Sequence, residues 1–139
     1  MVHSFCGNLP GVNEGLLLSI LNTLNILYNS YSAELSLYHK CNEWIEQNVS
    51  RPITAEYTAE AMGCTVEHLN RTVKKYSNKC LSEIIAEKRL SAIKHFVKFS
   101  NNSTQEIAFK LGFESAELLR KFFKYHTGVS LKEYRKTMI

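Results

Sequence analysis

Apolar residues recur along this chain at helical spacing nearly throughout. Leu17, Leu21, Leu24, Tyr28, Tyr31, Leu35 and Tyr38 are separated by four, three, four, three, four and three residues, a seam of about three heptads. Ile20 and Leu27 widen that face. A second helical stretch follows through Leu37, Cys41, Trp44 and Ile45. It is expected to stop near Asn48, because Arg51 precedes Pro52 and a residue before proline is driven out of helical geometry. The pattern leaves open whether the two stretches form one helix. Met1 to Asn13, with Asn8, Pro10 and Gly11, reads as an irregular lead.

Beyond Pro52 the chain repeats itself. Ile53–Ile85 aligns with Ser103–Arg135 at an offset of 50, with Thr54/Thr104, Glu56/Glu106, Glu67/Glu117, Leu69/Leu119, Lys74/Lys124, Leu81/Leu131 and Glu83/Glu133 identical. Around the first helix of each unit an offset of 49 fits better, pairing Ala59/Ala108, Met62/Leu111 and Gly63/Gly112. The second unit therefore carries one extra residue in its turn. Each unit predicts a short helix (about 55–62 and 104–111) ending at a glycine suited to a left-handed cap. A tight turn follows, and then a longer basic helix that Thr65 or Ser115 can cap. Ser103 and Glu106 form a Ser-x-x-Glu capping box. Short helix, tight turn and longer helix is the helix-turn-helix pattern. Between the units, residues 82–99 read as one connecting helix with Ile85, Leu90, Ile93, Phe96 and Val97 apolar. The fold class is all-α: two helix-turn-helix subdomains (about 54–77 and 104–126) joined by a long connector, with an additional N-terminal helix. Residues 1–36 are assigned to the lead and amphipathic helix, and 37–139 to the body.

Charge sharpens this. Residues 1–69 carry a net −5 and residues 70–139 a net +9, so a polyanion partner fits the back half. With 45% hydrophobic and 22% charged residues, six Gly and two Pro, the chain is globular rather than disordered or collagen-like. Its four cysteines, Cys6, Cys41, Cys64 and Cys80, form no Cys-x-x-Cys pair, and free thiols in a reducing cytoplasm are expected. Residues 15–33 contain no charge, but their Asn, Ser and Thr content argues against a membrane span.

The second helix of each unit is the expected reading element. Glu67, Asn70 and Arg71 carry the chemistry for bases, since Arg can bond guanine twice, Asn adenine and Glu cytosine. Lys74, Lys75 and Lys79 suit phosphates. In the second unit Glu117 and Lys121 are candidate base contacts, and Arg120 and Lys124 candidate phosphate contacts. Ala116 and Leu118 could at most touch a thymine methyl. Base specificity is therefore expected mainly from the first unit and affinity mainly from the second. A connector of about 18 residues spans about 27 Å, compatible with placing the two reading helices in successive major grooves.

Residues 37–135 resemble the AraC/XylS family of bacterial transcription regulators. The likeness rests most specifically on Ile107-Ala108-Phe109-Lys110-Leu111-Gly112-Phe113-Glu114-Ser115, then on Phe123-Lys124, Gly128-Val129-Ser130 and Tyr134-Arg135. Arg89-Leu90, Ala59, Gly63, Leu69 and the run Glu43 to Asn48 agree as well, and the layout is similar to the short stand-alone members. The resemblance implies a seven-helix body that binds an asymmetric bipartite DNA site and activates transcription through contact with RNA polymerase. By position it puts base contacts on Glu67, Asn70 and Arg71, then on Ala116, Glu117, Leu118 and Lys121. This sequence departs from the family at Asn78, Cys80 and Leu81, where Gly, Ser and Pro are usual, and at Leu131, where Pro is usual. Asn78 can keep the turn, because asparagine tolerates left-handed geometry. Asn102 and Thr104 replace apolar residues and are expected to loosen the start of the second unit. Glu67 and Glu117 add negative charge near DNA.

About 35 residues precede the body, too few for the ligand-sensing barrel of most full-length relatives. A small stand-alone regulator or the C-terminal piece of a longer one is expected. The seam Leu17, Leu21, Leu24, Tyr28, Tyr31 and Leu35 either packs on the rest of the domain or forms a homodimer. A methyl-accepting repair module would need four clustered thiolates, which the cysteine spacing lacks. The chain has no Asp, no Gly-rich phosphate loop and no nucleophile elbow. No catalytic residue, metal or cofactor is expected. The alternative function is a protein-interaction module or anti-activator that binds a regulator or RNA polymerase.

Overall fold

The computed structural model describes residues 14–138. The irregular lead and Cys6 lie outside the described residues. Among these, seven helices and no strand occur: α1 (Glu14–Asn48), α2 (Ala55–Met62), α3 (Val66–Ser77), α4 (Leu81–Phe99), α5 (Thr104–Lys110), α6 (Ala116–Thr127) and α7 (Leu131–Thr137). The two N-terminal apolar stretches are one uninterrupted helix of 35 residues. Two compact units divide the chain, one ending at Ser36 and the other beginning at Leu37. Among the described residues no helix is long and apolar enough to cross a membrane.

In the N-terminal unit nearly every large apolar side chain is exposed, Leu24 at 56% and Tyr28 at 69% among them. Leu17 and Leu35 are half-buried.

The unit from Leu37 onward has two cores, one per repeat. The first gathers Cys41 and Ile45 of α1, Ile53, Ala59 of α2, Leu69 and Val73 of α3, and Leu81, Ile84 and Ile85 of α4. The second gathers Ile93 of α4, Ile107 and Ala108 of α5, Leu111, Leu119 and Phe123 of α6, and Leu131 of α7. The connector therefore supplies both cores, its first turns to one and its later turns to the other. Buried polar side chains are satisfied locally: Thr58 donates to the Thr54 carbonyl at 2.8 Å and Thr72 to the His68 carbonyl at 3.0 Å.

Caps set the boundaries. Thr54, Thr65, Ser103, Ser115 and Ser130 each accept an N–H from the first turn of the helix they precede. Gly63 (φ 70°), Asn78 (φ 59°), Gly112 (φ 71°) and Gly128 (φ 77°) take the left-handed conformation that ends a helix. Asn78 thus keeps the turn without the usual glycine. Cys80 sits at the cap of α4, and its amide donates to Glu83 at 2.8 Å. That bond, together with one from the thiol, holds the Glu83 carboxyl below the usual range.

The caps also correct the repeat register. Thr54 caps α2 as Ser103 caps α5, an offset of 49, whereas Thr65 and Ser115 cap the reading helices at 50. The identical pairs Thr54/Thr104 and Glu56/Glu106 are therefore not structural equivalents, and Glu114 is the extra turn residue. The start of the second unit, expected to be loose, is tied: Arg135 donates to the Asn102 carbonyl at 3.0 Å, and the Ser103–Glu106 box closes at 2.7 and 3.2 Å.

Candidate nucleic-acid interface

Each reading helix buries one narrow face and leaves the rest to solvent. Leu69, Thr72 and Val73 pin α3, and Leu119 and Phe123 pin α6 with Phe122 half-buried. On α3 this leaves Glu67, Arg71, Lys74 and Lys75 exposed; on α6 it leaves Glu117, Leu118, Arg120, Lys121 and Lys124 exposed. Ala116 is half-buried. Lys75 lies 5.6 Å from the Tyr76 ring centroid. Glu117 and Lys121, both candidate base contacts, are joined by an ion pair of 3.1 Å one turn apart. At such exposure the pair adds only about 0.3–0.5 kcal/mol to the helix. Its consequence is chemical: one positive and one negative group of the second reading face are already matched.

Two of the expected DNA contacts, Asn70 and Lys79, have partners within the chain. Asn70 is half-buried, and its Oδ1 accepts the Leu81 amide at 2.8 Å. The side chain fills the role of a cap for α4, because the first amides of a helix have no partner within it. Replacing Asn70 with Ala should lower stability by about 1–2 kcal/mol through the stranded amide. Urea denaturation measures this; a loss of affinity at one base position with unchanged stability would contradict the capping role. Lys79 is bound to Glu87 at 2.6 Å, which also raises its pKa.

Two grooves of different charge lie beside α6. In the second unit a groove of about 920 Å³ is lined by Arg120, Lys121 and Lys124 of α6, Lys132 of α7, and the capping residues Ser103 and Ser130. Its charged lining includes no carboxylate. A second cleft, about 770 Å³, is lined by Lys79, by Glu83, Glu87 and Arg89 of the connector, and by Phe122, Tyr125 and His126 of α6. Opposed charges there leave little net field for an anion. Lys132 was missed from sequence, since its place opposite α6 depends on how α7 folds back.

Arg89 fixes the second unit to the connector. It donates to the Leu111 carbonyl at 3.0 Å, and its guanidinium lies 4.1 Å from the Phe113 ring centroid and 5.8 Å from that of Phe122. Burial lowers its pKa, yet an arginine stays charged at any physiological pH. Gly112 packs directly on the turn between α1 and α2, just ahead of the first repeat. A Cβ there would lie 2.8 Å from the Ser50 carbonyl oxygen and 3.1 Å from Arg51 backbone atoms.

The thiols carry no comparable chemistry. Cys41 is buried, and that burial, with a smaller contribution from Cys64, pushes its thiol up to about 11; burial raises Cys64 too. Cys64 packs against the first core.

The chain matches a family model described as a helix-turn-helix domain over residues 58–137. It is 32% identical over 99 residues to the multiple antibiotic resistance protein MarA of Escherichia coli, covering 71% of this chain and 78% of MarA. It is 28% identical over 116 residues to the transcriptional activator AarP of Providencia stuartii, covering 82% of this chain and 86% of AarP. Among solved structures, the DNA-binding domain of the global transcriptional factor AdpA, in complex with a target DNA, superposes with a TM-score of 0.65 at 19% identity, over 72% of this chain and 90% of that one. That last likeness establishes the shared two-repeat fold. Fold, repeats and relatives together place the chain in the AraC/XylS family of helix-turn-helix transcription regulators.

Proposed function

We propose that the chain is a sequence-specific DNA-binding regulator, acting as a transcriptional activator, with α3 and α6 in successive major grooves. The observation that carries this is the pairing, within one compact body, of two capped helices that each present exposed Arg and Lys side chains away from their cores. The names of the relatives support it, since AarP is an activator and AdpA was solved on DNA.

The roles divide between the repeats. Arg71, with Glu67, reads bases from the first unit. Lys74 and Lys75 hold phosphate there, and Arg120, Lys124 and Lys132 hold it at the second unit, where the cationic groove lies. Glu117 and Lys121 are the candidate base contacts of the second unit, which contributes affinity more than specificity because its other exposed groups suit phosphate. RNA polymerase is the partner in activation. The seam Leu17, Leu21, Leu24, Tyr28, Tyr31 and Leu35, exposed except at its half-buried ends, mediates self-association, and no catalytic role belongs to the chain.

Selection of bound duplexes from a random library should enrich two short boxes about one helical turn apart. No enrichment by folded protein would favour the interaction-module alternative. Replacing Arg71 with Ala should cost about 1–3 kcal/mol and relax one base position, whereas Lys124→Ala should weaken all sequences alike. If Lys121→Ala relaxes specificity more than Arg71→Ala does, the division of roles is wrong.

A further inference from the structure

The apolar face of α1 ahead of Leu37 is broader than a two-stranded contact can cover. Leu21, Leu24, Leu27, Tyr28 and Tyr31 are each more than half exposed, and Ile20 is half exposed. With their apolar neighbours they offer on the order of 1,000 Å² of apolar surface. That exceeds the largest patch of an ordinary monomer, about 300–600 Å². It is comparable to the roughly 800 Å² that each partner contributes to a stable complex.

The pattern specifies what covers it. The four-three spacing from Leu17 to Tyr31 is that of a left-handed supercoil, so the partner is another helix. At about 100° per residue, Leu16, Ile20 and Leu27 add a third column on one flank of the seam, widening the stripe to about 140°. The opposite flank holds Leu18 at its start and then the polar Asn25 and Ser32. A seam plus one apolar flank is the pattern of helices that face the core of a bundle; a two-stranded coil needs the seam alone. Flanking charges set partner choice and orientation in coiled helices, and none occurs from Gly15 to Ala33, so shape and apolar width decide the pairing. The partner of matching width and polarity on the page is this same helix.

We propose that the N-terminal helices of four copies of this chain assemble as a four-helix bundle. The proposal rests on the self-association reading above and extends it: paired seams form first, and the Ile20–Leu27 columns then bring two pairs together. The particle carries four DNA-binding bodies and can hold two separate DNA sites at once.

Sedimentation velocity and native mass spectrometry of the whole chain, across micromolar concentrations, test this. Four chain masses are expected. Ile20→Asn combined with Leu27→Asn should leave two, and Tyr28→Ser combined with Tyr31→Ser should leave one, with the thermal unfolding of the body unchanged in both. A wild-type dimer or trimer overturns the four-helix bundle and leaves self-association standing. A wild-type monomer overturns both. A tetramer that survives the flank substitutions shows that the flank does not build it, and overturns the proposal as well.

Discussion

Raising the salt from about 50 to about 200 mM is expected to weaken DNA binding by about 500-fold. The figure follows from five cations placed for phosphate contact: Lys74 and Lys75 on α3, Arg120 and Lys124 on α6, and Lys132 on α7. Each neutralised phosphate releases counterion, so the logarithm of affinity falls with the logarithm of salt at a slope of about −4.5 for five contacts. Lys79 is not counted, because Glu87 already holds it. Fluorescence anisotropy on a labelled operator measures the slope directly. Lys132→Ala should lower its magnitude by about one, as Lys124→Ala should, while Lys79→Ala should change it much less. A slope near zero would mean that the basic back half does not contact phosphate, and would favour the interaction-module function.

Replacing Gly112 with Ala should destabilise the body by about 3 kcal/mol, a fall in melting temperature of about 15 °C. Two costs combine. The left-handed conformation at φ 71° opposes any Cβ, by about 1–2 kcal/mol. The new atom would also lie 2.8 Å from the Ser50 carbonyl oxygen, which belongs to the backbone and cannot swing aside as a side chain can. Overpacking of that kind typically adds about 1–3 kcal/mol. Gly63 provides the control. It has nearly the same φ, 70°, but nothing within 4 Å of its Cβ position, so Gly63→Ala should cost only about 1 kcal/mol. Calorimetry of the two variants separates the terms. Equal losses would show that the contact with Ser50 does not constrain the native state.

The contrast between these glycines shows where sequence reading ends. Both are legible as helix caps, because a left-handed residue after a short amphipathic helix is a local requirement. That one of them also presses on the backbone of a distant turn is a long-range fact, which no local pattern encodes. Asn70 behaves in the same way. Its position on α3 gives it the spacing of a base reader, but its carboxamide is held by an amide eleven residues onward, at the start of α4. Position on a helix is periodic and readable, whereas the direction of a polar side chain depends on which unsatisfied group lies within reach.

The sequence alone determined the all-α class, the duplicated helix-turn-helix and the helix ends. Those features follow from short-range rules: apolar side chains at helical spacing must face a core, and the orphan amides of a helix must find a cap. Tertiary structure alone decided which charges face outward with their field intact. It matched Lys79 to Glu87 and brought Lys132 from α7 into the groove of α6. The physical reason is range. Helix formation and capping act within about four residues, but an ion pair or a groove is made by whichever elements the two cores bring together.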